Sequence, residues 1–187
     1  MCFKKITAAI LSFVISSTLS LAQDRVASFA DADNSSSHVT AKPMFCAAAA
    51  VIESTNNAIA DALIETASKY VGTPYRLGST GPNRFDCSGF TSFVYRTEDI
   101  QLMRRSADQY TQGKRVSLSE LKKGDLVFFS GSRGGSRVGH VGMVVEADND
   151  SRSFRFIHAS CHGVREDSST DSYYSSRYIG ACRILEN

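Results

Sequence analysis

The sequence predicts an α+β domain, with N-terminal helices packed on a C-terminal antiparallel β-sheet. Three observations carry this. From Asn57 onward apolar residues recur at three- and four-residue spacing, the period of an amphipathic helix. After the turn Lys123-Gly124-Asp125 the pattern changes to short strand-like runs separated by polar turns. The 187 residues, 42% hydrophobic and 21% charged, suffice for one sizeable core and fall short of two. The same composition excludes disorder, collagen-like repeats and disulfide-dense miniproteins.

The chain opens with Met1–Ala22, a short basic start, an apolar stretch and the small-residue end Ser20-Leu21-Ala22. This reads as a signal peptide with cleavage before Gln23 rather than a membrane anchor, because Ser and Thr dilute its apolar part. The mature protein is therefore expected to be exported, periplasmic or secreted, with no integral membrane segment. Removing Lys4 and Lys5 from the 21 basic residues balances the 19 acidic ones. Such a balance gives no electrostatic reason to bind nucleic acid or an anionic membrane. Residues 23–56 form a lead-in. It includes the apolar run Met44–Ile52 with its four consecutive alanines, which reads as a short helix packed on the domain.

Ile59, Ala62, Leu63, Thr66, Ala67 and Tyr70 mark one face of a helix ending at Val71-Gly72. A loop rich in Gly, Pro and Ser follows to Asn83. The segment Phe85-Asp-Cys-Ser-Gly89 opens a second helix carrying Phe90, Phe93 and Val94, and Ser106–Tyr110 reads as a helical turn. Four strands are expected as a meander: Leu126–Phe129, His140–Glu146, Ser153–Ala159 and Tyr178–Leu185. The Gly-, Ser- and Arg-rich loop Ser130–Gly139 is the one expected to be mobile.

Chemistry concentrates on Cys87. Asp86 is a good N-cap, which places Cys87 at the first helical position, where free backbone N–H groups and the helix dipole favour a thiolate. Gly89 leaves room for a close approach. His140 opens one strand and His158 ends the next, so pairing across Ala147–Arg152 would bring the two imidazoles together at one sheet edge. A cysteine beside a base that is oriented by a third polar group is the logic of a nucleophilic triad. His38 and His162 read as solvated. In an oxidising compartment, with Cys87 kept as a thiol, the pair expected to form a disulfide is Cys161–Cys182, which leaves Cys46 over.

The blocks Tyr70-Val-Gly-Thr-Pro-Tyr-Arg-Leu-Gly-Ser, Phe85-Asp-Cys-Ser-Gly-Phe, Leu102-Met-Arg-Arg-Ser-Ala-Asp-Gln, Lys123-Gly-Asp-Leu-Val-Phe-Phe, Gly139-His-Val-Gly-Met and Phe156-Ile-His-Ala-Ser occur in order. Together they resemble the NlpC family of bacterial cell-wall cysteine peptidases. The resemblance implies a papain-like fold over residues 57–187. It also implies Cys87 as nucleophile, His140 as base and His158 as the residue orienting His140. Tyr75 would position substrate or stabilise the oxyanion, and Asp86 and Ser88 would flank the substrate peptide. Lys123 and Met103 stand where relatives usually carry proline. Residues 23–53 are too short for the family's wall-binding β-barrel, so the catalytic domain itself must reach the substrate.

The resemblance further implies hydrolysis of peptidoglycan stem peptides, at the bond between D-glutamate and a diamino acid or at the D-alanyl cross-link, by a monomer that needs no metal or organic cofactor. A CHAP-like amidase and an acyltransferase of the same fold stay open. So does a non-catalytic module, either wall-binding or holding metal through Cys161, His158, His162 and His140.

Overall fold

The computed structural model describes residues 45–131 and 134–185. The expected signal peptide and most of the lead-in lie outside the described residues. Helix α1 (Phe45–Ser68) runs without a break through what the sequence divides into two helices. No Gly or Pro falls between Phe45 and Ser68, so nothing interrupts the backbone ladder. Residues 48–55 are exposed, and burial begins on the face bearing Ala60, Leu63 and Ala67. Helix α2 (Cys87–Arg96) buries Phe90, Val94 and Tyr95, and α3 (Ser106–Gln112) follows after a short loop. Among the described residues no helix is long and apolar enough to cross a membrane.

Six strands make one antiparallel sheet: β1 (Lys114–Val116), β2 (Leu126–Ser130), β3 (Val138–Asp148), β4 (Ser153–Ser160), β5 (Gly163–Ser168) and β6 (Tyr178–Arg183). Their spatial order is β1-β6-β2-β3-β4-β5. Strands β2, β3 and β4 pair in sequence order as expected, and β5, a strand the sequence pattern does not mark, continues the meander in the place expected for Tyr178–Leu185. The last strand does not extend it: β6 crosses back to pair with β2 on the far side, and the short helix α4 (Ser172–Ser175) lies in the connection. Buried Asp125 fixes this return by accepting from Arg183 Nε at 2.8 Å and from Nη2 at 2.9 Å.

Alternation along the strands divides the apolar residues into two clusters. Leu126, Phe128, Val141, Met143, Ile157 and Cys182 pack with Leu63, Phe90 and Val94 of the helices. Val127, Phe129, Val144, Phe154, Phe156 and Ala181 form the second cluster, which Tyr174 and Tyr178 partly cover.

The topology overturns the expected Cys161–Cys182 disulfide. Both thiols are free, Cys161 exposed in the β4–β5 turn and Cys182 buried in β6. Strand β4 lies three places from β6, about 14 Å at ordinary strand spacing. A disulfide needs α-carbons within about 7 Å. Buried Cys182 Sγ instead lies 3.5 Å from the Gln109 carbonyl oxygen.

Candidate active site

The start of α2 is held from several sides. Asp86 has extended backbone and accepts the Gly89 N–H at 2.7 Å, which is the N-cap the sequence predicts. Its other oxygen accepts the Gly78 N–H at 2.8 Å, and its own N–H donates to the Ser79 carbonyl at 2.9 Å. The 72–83 loop is thereby pinned to the helix. Gly89 is required for this contact, since a Cβ there would come 2.2 Å from the Ser79 carbonyl oxygen. The close approach that the sequence signals at Gly89 is therefore by this loop.

Arg104 sits beside Asp86. Its Nη1 and Nη2 donate to the two carboxylate oxygens at 3.1 and 2.5 Å, and Nη1 reaches the Ser88 hydroxyl at 3.0 Å. Fully buried Gln109 ties the same helix start to α3, donating to Ser88 O at 3.1 Å and Met103 O at 2.8 Å.

Cys87 is thus fixed in place, but its electrostatics differ from the local expectation. Burial pushes the thiol up and the Asp86 charge adds to this. The backbone N–H groups of Val141, Ser88 and Cys87 itself pull the other way and do not prevail. A helix start favours a thiolate only where the sulfur keeps its solvation or meets a cation, and neither condition outweighs burial here. The Val141 contact also locates the sulfur. It lies against β3 at the residue next to His140.

The two histidines meet as the strand pairing predicts. In the β3–β4 register Met143 faces Ile157, which sets Gly142 beside His158. A Cβ at Gly142 would come 2.6 Å from Phe156 Cδ2 and 3.1 Å from His158 Cβ, so glycine makes room for the imidazole pair. His140 Nε2 lies 2.7 Å from His158 Nδ1, with the rings nearly perpendicular at 86°. Burial drives the His140 pKa down to about 3, helped by the neighbouring His158, so the resting ring is neutral rather than cationic. His158 is also lowered, chiefly by burial, against the pull of Asp167.

Behind His158 stands a carboxylate that no local pattern in the sequence marks, since it lies in the polar strand β5. Asp167 Oδ2 lies 2.9 Å from His158 Nε2 and accepts the Tyr174 hydroxyl at 2.9 Å, while Arg165 donates to Oδ1. Burial alone would raise Asp167, but the bonds from His158 and Tyr174 hold it below its ordinary value.

A cavity of about 690 Å³ opens from this pair. Tyr75, His140 and His158 line it, with Arg165, Asp167 and Asp171 further along. Burial and the nearby Cys87, Asp86 and Cys161 raise the Tyr75 phenol, which keeps its proton and can donate. Cys161 and His162 lie at the same cavity. Both nitrogens of His158 are engaged by protein groups, which leaves it no lone pair for a metal. Among the described residues no group of three His, Cys, Asp or Glu converges as a metal site would.

Comparison with known proteins gives this arrangement a family. The NlpC/P60 family model matches residues 72–183, more than half of the 187 residues. The chain belongs to the NlpC/P60 family. A Listeria welshimeri protein named "Probable endopeptidase p60" is 40% identical over 122 residues, which are 65% of this chain and 22% of that one. The gamma-D-glutamyl-L-lysine dipeptidyl-peptidase of Bacillus cereus is 40% identical over 132 residues, 67% of this chain and 37% of the relative. The chain therefore spans under a quarter of the length of that p60 relative and little more than a third of the peptidase.

Among solved structures, an NlpC/P60 family protein from Bacillus cereus superposes with a TM-score of 0.61 at 34% identity, over 67% of this chain and 40% of that chain. The NlpC/P60 domain of the peptidoglycan hydrolase SagA gives 0.54 at 29% identity, over 67% of this chain and 98% of the domain. The NlpC/P60 fold is the papain-like arrangement expected, a helix start facing a histidine-bearing antiparallel sheet.

Proposed function

We propose that this NlpC/P60 chain is an exported cysteine peptidase that hydrolyses peptidoglycan stem peptides between D-glutamate and a diamino acid. Residues 1–22 would direct export, 23–56 would lead in, and 57–187 would carry the activity. The observation that supports it most is the 2.7 Å contact between His140 Nε2 and His158 Nδ1, on the strand whose next residue, Val141, gives its backbone N–H to the Cys87 thiol. The choice of the D-glutamyl bond is supported by the name of the Bacillus cereus relative.

The charges suggest how the reaction starts. With the thiol raised and His140 lowered, the resting pair is thiol and neutral imidazole. Attack on the amide carbonyl then forms the C–S bond while the thiol proton passes to His140 Nδ1, the ring nitrogen His158 does not engage. The Tyr75 hydroxyl and a backbone N–H at the helix start would donate to the oxyanion. Collapse breaks the C–N bond, and His140 returns the proton to the leaving amine. Water, deprotonated by the same nitrogen, then hydrolyses the thioester and restores the thiol.

The leaving half must lie on the imidazole side, where its nitrogen receives the proton, and the cavity extends there. Its walls carry Arg165, Asp167 and Asp171. Charged walls favour a peptide with ionised groups over the lipid chain an acyltransferase would take.

Digestion of purified peptidoglycan, with fragments identified by mass spectrometry, tests the bond. New amino termini on the diamino acid support the reading. Cleavage only at D-alanyl cross-links, or release of intact stem peptides from the sugar, would replace it with the cross-link endopeptidase or the amidase.

A further inference from the structure

We propose that Asp167 is a positioning residue that sets the protonation pattern of both histidines, extending the cysteine–histidine–histidine arrangement to a fourth member. The inference rests on the reading of Cys87 and His140 as nucleophile and base.

Asp167 sits in β5, an edge strand, yet its side chain is only 5% exposed. An inward-pointing carboxylate on an edge strand is costly unless every oxygen is satisfied. Three groups satisfy it: His158 Nε2, the Tyr174 hydroxyl and the Arg165 guanidinium. Packing against Phe156 and Tyr174, with ring centres 4.9 and 5.4 Å away, fixes the His158 plane.

An ionised carboxylate can only accept, so the nitrogen 2.9 Å from it must carry the proton. Neutral His158 is therefore the Nε2–H tautomer, and its Nδ1 is a bare acceptor. The nitrogen facing that acceptor at 2.7 Å, His140 Nε2, must then be the donor. Of the two unprotonated nitrogens, His158 Nδ1 is occupied by the His140 Nε2–H, which leaves His140 Nδ1 with its lone pair unused in the pair, and it is the atom that has to take the thiol proton. One buried carboxylate thus dictates, through two rings, where the base lone pair appears. Tyr174 and Arg165 keep that carboxylate from turning away.

Asp167→Asn keeps the shape and changes the pattern. The amide can present its NH₂ to His158 Nε2, which moves the His158 proton to Nδ1, makes His140 Nε2 an acceptor and places the His140 proton on Nδ1, where it blocks the base. In a serine triad the equivalent change lowers kcat about 10⁴-fold through the wrong tautomer. We expect kcat for stem-peptide hydrolysis to fall about 10²–10⁴-fold, with KM within about threefold. Asp167→Ala, which leaves a site water free to accept, should lose less than Asp167→Asn.

The decisive readout is independent of turnover. Two-bond ¹H–¹⁵N NMR of histidine-labelled protein should show both rings as Nε2–H in the wild type and as Nδ1–H in Asp167→Asn, with both proteins folded. Unchanged ring signals in the variant, or a kcat within about threefold of wild type, would overturn the proposal. A wild type no more active than Cys87→Ala would defeat the peptidase reading instead, and the NMR comparison would still decide the tautomers.

Discussion

Arg104 closes both terminal nitrogens of its guanidinium on Asp86, the residue that caps the helix bearing Cys87, at 3.1 and 2.5 Å. The pair places a negative charge next to a thiol that is already desolvated, and a partly exposed cation behind it. In the wild type, the alkylation rate of Cys87 by iodoacetamide should therefore climb through and above the ordinary thiol range near pH 8.5. A rate already at its plateau from pH 5 to 7 would mean a preformed thiolate–imidazolium pair and contradict this. Asp86→Asn keeps an oxygen for the cap while removing the charge, so its alkylation midpoint should lie below that of the wild type.

His140 makes stability depend on acid. Its folded pKa, about 3, lies below the value near 6.5 that it has when unfolded. Between these limits the unfolded chain binds a proton that the folded chain refuses. Stability is therefore lost as pH falls from about 6.5 towards 3, by at most about 1.4 kcal/mol per unit. Urea midpoints of the wild type should fall over that window, and those of His140→Gln should fall less steeply. Parallel slopes would show that the ring takes its proton without cost.

Gly142 is a steric requirement of the imidazole pair. Gly142→Ala would drive a methyl to 2.6 Å from Phe156 and 3.1 Å from His158. Overpacking of this kind costs about 1–3 kcal/mol, and the displaced His158 should lower kcat as well. Thermal denaturation and kcat should fall together. A variant with wild-type values of both would mean the strands part easily at this point.

Much of the site was legible in the sequence because its signals are local. An Asx cap before an apolar helix locates Asp86 and Cys87, and strand alternation with a short turn brings His140 to His158. What escaped depends on distant pairing. Strand β5, Gly-Val-Arg-Glu-Asp-Ser, is a polar edge strand with no apolar alternation to reveal it, so Asp167 went unseen. Sequence order alone sets β6 beside the C-terminal strands that precede it, whereas it pairs with β2, which separates Cys161 from Cys182. The thiol was expected to be lowered by its helix start, whereas burial and the Asp86 charge, both products of tertiary packing, raise it. Arg104 lies 18 residues from Asp86 in the chain, and only the fold brings the two together.

The most direct test is Cys87→Ala against a defined stem peptide containing the D-glutamyl–diamino acid bond. Hydrolysis by the wild type, a loss of about 10⁶-fold in the variant and an unchanged melting temperature are the predicted result. Hydrolysis continuing at the wild-type rate without that sulfur would contradict the account.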